Sequence, residues 1–130
     1  MASQKLLIAW VYHPAVGHLV EALQVAANYL AANPNLEIHV LVHYKTPFKI
    51  GSYCDFIHQI CPLDPEDCNK ENKMIQALRK LELDYVVFPK RLKYTPQDFT
   101  SSLLECNQFL QTTLKPKIWG GYNDTLSKDQ

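Results

Sequence analysis

The sequence predicts a Rossmann-like three-layer α/β/α domain with a mainly parallel sheet of about five strands. Short apolar runs alternate with amphipathic helical segments along the chain, and the connections between them are short. The runs are apolar at nearly every position, which is typical of strands that helices cover on both faces. Strands joined through helices by right-handed crossovers lie parallel, so the alternation itself indicates the fold.

The first half of the chain contains a strand, a helix and a second strand. "KLLIAWVY", residues 5–12, is a continuous apolar run of strand length. A helix is predicted over 18–33 because apolar residues recur at helical spacing before the breaker "NPN". A second strand, "LEIHVLVHY" at 36–44, follows after about three residues, as expected for a connection from a helix to a strand.

The second half repeats the pattern less regularly. We expect a short helical turn over 48–52, a third strand over 57–64 that Pro62 closes, and a helix with Met74, Leu78 and Leu81 on its apolar face. "LDYVVFP", residues 83–89, is the predicted fourth strand.

The last predicted helix has a clear start. Thr95 suits the N-cap and Pro96 the first helical position, and the apolar face continues to Leu114. A fifth strand is predicted over 117–122, "KIWGGY". The expected domain therefore covers 1–122, and 123–130 is a polar tail or linker.

Composition narrows the function classes. The chain has 130 residues, the size of one domain. Its 13 basic and 13 acidic side chains are interspersed and form no basic stripe, so a nucleic-acid partner is not expected. The apolar N-terminal run is too short for a signal peptide or a membrane span, and a cytoplasmic protein is expected. The four cysteines lack the spacing of a zinc site, so no metal and no cofactor is predicted.

The site is expected where the loops after the strands gather, at the carboxyl edge of the sheet. Three loops qualify: 13–18, 43–48 and 89–94. The first has a single glycine and lacks both the dinucleotide fingerprint and the Lys-Ser/Thr of a phosphate-binding loop, which disfavours a nucleotide cradle there.

His18 is the main candidate in the first loop. It follows Gly17 at the predicted start of a helix, where the positive helix end disfavours the imidazolium and keeps the ring able to accept a proton. The alternative is that His18 packs against Tyr12 or bonds a loop carbonyl.

Other candidates lie in the same three loops. His13, Gly17 and His43 could contact a substrate, although loop shape alone explains His13 as well. Gly17 is also expected to allow the turn into the helix. Lys90 and Arg91 would suit an anionic group, and a solvated basic loop is an equal alternative. His39 and His58 fall within predicted strands and are interpreted as structural.

Three stretches, in order, resemble glycosyltransferases of the GT-B type. "VYHPAVGHLVEALQVAANYLAANPNLEIHVLVH" is similar to their first strand, a loop ending in Gly-His or Gly-Asp, a helix and a second strand. "GSYCDFIHQICPLD" resembles a segment of the heptosyltransferase-like branch. The stretch from "LELDYVVF" to "WGGY" resembles that branch's Tyr-Asp strand, its next helix and its closing Gly-Tyr, so the likeness covers roughly residues 5–122.

The resemblance implies roles for individual residues. His18 stands where heptosyltransferase-like enzymes usually have Asp, and it matches the Gly-His of the macrolide and plant-type enzymes, in which the His deprotonates the acceptor hydroxyl. The resemblance therefore implies that His18 is the general base for the transfer of a sugar from a nucleotide sugar with inversion. A supporting carboxylate is also implied, with Asp98 as its candidate and a plain helix-capping charge as the alternative.

The resemblance also implies an incomplete enzyme. GT-B enzymes have two Rossmann-like domains, and the C-terminal one mainly holds the nucleotide sugar, whereas this chain matches the N-terminal, acceptor-side domain. We expect it to act with a donor-binding domain or partner subunit. The alternative is a non-catalytic α/β binding or assembly subunit that keeps the fold without the chemistry.

Overall fold

A computed structural model describes residues 4–11, 16–48, 55–88 and 101–114. The strands are β1 (Lys5–Trp10), β2 (Glu37–His43), β3 (Ile57–Leu63) and β4 (Tyr85–Val87), and the helices are α1 (Val16–Ala32), α2 (Lys73–Lys80) and α3 (Ser101–Thr113). A short 3₁₀ turn, Pro65–Asp67, joins β3 to α2.

The strands form one parallel sheet in the order β3-β2-β1-β4. This confirms the predicted α/β fold, with four strands where about five were predicted. The fifth predicted strand, 117–122, lies outside the described residues, as do the tail, most of the predicted turn at 48–52 and the predicted helix start at Thr95 and Pro96.

Alternating residues of the two central strands build two cores. The even-numbered residues of β1 and β2 pack against α1, and the odd-numbered ones of β1, with Leu41 of β2, pack against α2 and α3. Successive side chains of a strand point to opposite faces, so an uninterrupted apolar run fills both layers. The buried residues of β1 are Leu6, Leu7, Ile8, Ala9 and Trp10.

Polar side chains fix the ends of two elements. The side-chain oxygen of Asn72 accepts hydrogen bonds from the backbone N–H groups of Met74 (2.9 Å) and Ile75 (3.2 Å), which caps α2. The Asp84 carboxylate accepts the N–H of Lys5 at 2.9 Å, and the Asp84 N–H donates to the Lys5 carbonyl. This pair joins the chain entering β4 to the start of β1.

β3 differs from its prediction in two details. The strand continues through the exposed Pro62 to Leu63 rather than closing at the proline. Pro62 is tolerated because β3 is the outer strand in the described sheet, where a missing N–H breaks no ladder bond. The pairing with β2 also shifts by one residue beside His58, whose Nδ1 accepts the Ile38 N–H at 3.0 Å. The imidazole therefore satisfies a backbone donor at the irregularity.

Glu82, in the turn from α2 to β4, has a φ of 54°, the left-handed region that favours glycine. We expect Glu82→Gly to raise the free energy of unfolding by about 0.5–1 kcal/mol, because relief of strain of about 1–2 kcal/mol exceeds the entropic cost of a glycine. Urea denaturation followed by circular dichroism measures the change.

The matched control is Glu105→Gly, the same substitution at an exposed position inside α3. It should lower stability by about 1 kcal/mol, since a helix interior disfavours glycine. Equal losses in both variants would contradict the assignment of strain to Glu82.

Candidate functional site

The direction in which the strands are added reverses beside β1. The chain winds outward from β1 to β2 and β3 and then crosses to the other side of β1 to form β4. Ligands of open parallel sheets bind where the winding reverses, beyond the carboxyl ends of the strands. In this fold that position lies after β1 and β4, and five residues separate the end of β1 from the start of α1.

Gly17 and His18 lie within the first turn of α1, which begins at Val16 rather than at His18 as predicted. Gly17 is therefore a helical residue. A Cβ built on it meets no described atom within 4 Å, so the described residues place no steric demand for glycine at this position.

His18 is half-buried near the amino end of α1, and its Nδ1 atom is out of contact with solvent. The structure thus places an imidazole in the first turn of the helix that follows β1.

A carboxylate that the sequence analysis did not single out lies on the same helix. Glu21 is half-buried, and its Oε1 accepts a hydrogen bond of 2.9 Å from the indole Nε1 of Trp10, the last residue of β1. The signal in the sequence was the three-residue spacing between His18 and Glu21, which puts both on one helix face.

The chain leaving β2 forms a tight turn that carries an exposed aromatic ring. Tyr44 is 45% exposed, and its ring lies against that of His43 with centroids 5.1 Å apart and planes 17° apart. The Thr46 N–H donates to the His43 carbonyl (2.8 Å), and the Lys45 N–H donates to His43 Nδ1 (3.1 Å). His43, when neutral, therefore carries its proton on Nε2.

The sequence did not indicate Tyr44 as a site residue, because Tyr44 is the last residue of the predicted second strand and was expected to be buried. The backbone N–H of Tyr44 donates to the Leu63 carbonyl at 2.9 Å, which anchors the turn to the end of β3. The Lys45 ammonium lies 5.6 Å from the centroid of the Tyr44 ring. An aromatic ring, an imidazole and a cation are thus presented together at the carboxyl edge of the sheet.

Four other predicted site residues lie outside the described part of the chain: His13, Lys90, Arg91 and Asp98. His39 and His58, interpreted as structural, are held within the sheet. His39 Nε2 is 2.8 Å from a carboxylate oxygen of Glu37, and this hydrogen bond lowers the pKa of Glu37. Their bonds involve the first half of β2, away from the carboxyl edge.

Two of the three cysteines in the described part of the chain have thiols whose pKa is raised, the opposite of an activated nucleophile. Burial raises the pKa of the Cys61 thiol to about 11. A hydrogen bond with the Cys68 thiol, reinforced by burial, raises the pKa of Cys106. Among the residues that the structure describes, no cluster of three His, Cys, Asp or Glu side chains could hold a metal ion, and no helix is long and apolar enough to cross a membrane.

Solved structures supply the comparison. A family 9 glycosyl transferase from Veillonella parvula is similar to this chain with a TM-score of 0.57 and 12% identity, over 99% of this chain and 35% of that protein. The similarity is one of fold. The chain spans about a third of the length of that glycosyltransferase.

A second solved structure is the C-terminal domain of a hydrogenase from Pyrococcus furiosus. It gives a TM-score of 0.48 with 9% identity over 94% of both chains, too low to bear on function. No protein-family model and no curated protein matches the sequence.

Proposed function

We propose that this chain is the acceptor-binding part of a GT-B-type glycosyltransferase. The complete enzyme would transfer a sugar from a nucleotide sugar to an acceptor hydroxyl with inversion. The observation that carries the proposal is the similarity to a family 9 glycosyl transferase along 99% of this chain but only 35% of that protein. The donor would be held by a further domain or a partner subunit.

His18 is the proposed general base. Its neutral imidazole takes the proton of the acceptor hydroxyl while the oxygen attacks the anomeric carbon from the face opposite the leaving nucleotide. The bond from the anomeric carbon to the nucleotide phosphate breaks, its electron pair leaves with the phosphate, and the configuration inverts. His18 lies at the start of the helix that follows β1, next to the point where the strand order reverses and where open parallel sheets bind ligands, and this position supports the role.

The turn after β2 is the proposed contact for the acceptor. An exposed aromatic ring such as Tyr44 offers an apolar face to the C–H groups of a sugar ring, and the Nε2 proton of His43 can donate to a hydroxyl. Gly17 leaves open space near His18. His13, Lys90 and Arg91 stay predicted acceptor contacts, and Asp98 stays a predicted partner of the base.

Binding to the isolated chain tests the proposal. We expect members of a panel of oligosaccharides and glycolipid headgroups to perturb the NMR signals of His18 and His43. UDP, GDP and ADP sugars should leave them unchanged up to millimolar concentrations, because donor recognition is assigned to the absent part of the enzyme. Tyr44→Ala should weaken glycan binding about tenfold, the loss of one stacking contact of about 1–1.5 kcal/mol.

The control for Tyr44 is Gln108→Ala, an exposed position on α3, which should leave binding unchanged. Micromolar binding of a nucleotide sugar would contradict the assignment of the donor to another domain. If neither the glycans nor the nucleotide sugars bind, and no sugar transfer occurs when a donor-binding partner is added, the chain is better described as a non-catalytic binding or assembly subunit.

A further inference from the structure

Two cysteine side chains are in contact on the face of the sheet that α2 and α3 cover. Cys68 ends the 3₁₀ turn that follows β3, and Cys106 lies in α3. The Cys68 thiol donates a hydrogen bond to the Cys106 carbonyl oxygen at 3.7 Å, and a hydrogen bond also joins the two thiols. Both are free cysteines, although 38 positions separate them along the chain. The fold therefore brings together two thiols that the sequence keeps far apart.

The chain around Cys68 is fixed by hydrogen bonds. The backbone N–H of Cys68 donates to the Pro65 carbonyl at 3.3 Å. The side-chain amides of Asn69 and Asn72 both donate to the Asp67 carbonyl at 3.1 Å. α3 packs against this turn. The contact between the two thiols is therefore held from both sides by ordered backbone.

The two thiols differ in access to solvent. Cys106 is 1% exposed within the core on this face of the sheet, whereas Cys68 is half-buried and packs against that core. Because oxidation of a thiol depends on its exposure, a small oxidant reaches Cys68 first. The hydrogen bond with Cys68, reinforced by burial, raises the pKa of Cys106. The Cys106 thiol thus stays protonated and shielded until its neighbour has reacted.

We propose that Cys68 and Cys106 are a modification site, a pair of thiols that a peroxide oxidises to a disulfide bond between the 3₁₀ turn and α3. This site goes beyond the proposed function and does not depend on it. Two thiols already in hydrogen-bond contact need little movement to form the bond. Proteins in reducing compartments keep such a pair as thiols, and an oxidant closes it transiently.

The oxidation proceeds in two steps. The Cys68 sulfur attacks one oxygen of hydrogen peroxide, the O–O bond breaks, and Cys68 sulfenic acid and water are formed. The Cys106 sulfur then attacks the Cys68 sulfur, the S–S bond forms, and the S–O bond breaks. Hydroxide leaves and takes up the Cys106 proton as a second water. The two sulfur atoms together lose two electrons, which the peroxide gains, and an added dithiol reverses the bond by thiol–disulfide exchange.

The disulfide fastens α3 to the connection between β3 and α2. A bond that closes a loop of this length restricts the unfolded chain and so stabilises the folded one. We expect the midpoint of thermal unfolding to rise by about 5 °C or more on oxidation. The rise should disappear when the bond is reduced.

The test treats the full chain with a small excess of hydrogen peroxide, unfolds it in the presence of a maleimide and counts the labelled thiols by intact mass. The untreated chain should take up four labels, one for each cysteine, and the oxidised chain two fewer at the mass of a single chain. Proteolytic digestion should then yield a peptide pair linked through Cys68 and Cys106. Dithiothreitol should restore the lost labels and the original unfolding midpoint, which over-oxidation to sulfinic acid would prevent.

Cys68→Ala should keep all its labels after peroxide and show no rise in the unfolding midpoint. Because Cys68 is half-buried, alanine is tolerated there. The matched control is Cys61→Ala, which removes a thiol of β3 in the same core whose pKa is raised by burial. It should still lose two labels on oxidation.

Three results would overturn the proposal: a wild-type chain that keeps every label, a bond that joins two chains, or a loss of two labels that persists in Cys68→Ala. An unchanged unfolding midpoint in the bonded chain would overturn the fastening of α3. No sugar or nucleotide enters the experiment, so its outcome is independent of the glycosyltransferase proposal.

Discussion

His18→Gln should lower the rate of sugar transfer by about 10²–10⁴-fold when the chain is assayed with its donor-binding part, because glutamine cannot accept the acceptor proton. Glutamine retains hydrogen-bonding groups and a similar size, so the half-buried position beside the end of β1 can stay filled. The loss should appear in kcat, with the KM for the nucleotide sugar unchanged, since the donor is assigned to the other part of the enzyme. Product formation under saturating donor measures it.

The comparison variant is His43→Gln, at the carboxyl end of β2. Its proposed role is acceptor binding, so it should raise the KM for the acceptor while kcat changes less than tenfold. A His18→Gln enzyme that retains more than a third of the wild-type kcat would exclude His18 as the general base.

Ile8→Ala should have the largest effect on stability, a loss of about 2–5 kcal/mol. Ile8 is fully buried in β1, paired between Val40 of β2 and Val87 of β4. Its side chain packs toward α1, so the deletion leaves a cavity between the sheet and the helix that carries His18. Since domains of this size are stable by about 5–15 kcal/mol, the loss takes a large share of the total stability.

The control is Val20→Ala, another shortening of an aliphatic side chain, at a position of α1 that is 44% exposed. It should change the free energy of unfolding by less than about 0.5 kcal/mol. Chemical denaturation of the two variants and the wild type gives the comparison. A loss below 1 kcal/mol for Ile8→Ala would show that β1 does not form the centre of the core.

The sequence predicted the fold well because the central strands are apolar at almost every position. A run such as that around Ile8 fits a strand buried on both faces, and the helical spacing from Leu19 to Leu30 fits a helix laid over it. The parallel order then follows from short connections. The bounds of α1 were shifted by two residues at its start, since Gly17 read as a turn residue although it adopts the helical conformation.

The candidate site was predicted less completely. His18 could be predicted as a site residue because it lies shortly after a strand, at the start of a helix. The bond between Trp10 and Glu21 joins residues of two elements and depends on how α1 sits on β1, which residue spacing alone does not give. Tyr44 was missed because an aromatic residue at the end of an apolar run looks like core until the turn that exposes it is known.

In the part of the sheet that the structure describes, β3 is the outer strand, and this position affects how the chain behaves in concentrated solution. A flat, regular outer strand is a template on which another chain can add a strand and start aggregation. β3 is a poor template, because Pro62 removes a donor and the irregularity beside His58 interrupts the ladder spacing. Substitutions that regularise this strand should therefore promote self-association, even where they stabilise the folded chain.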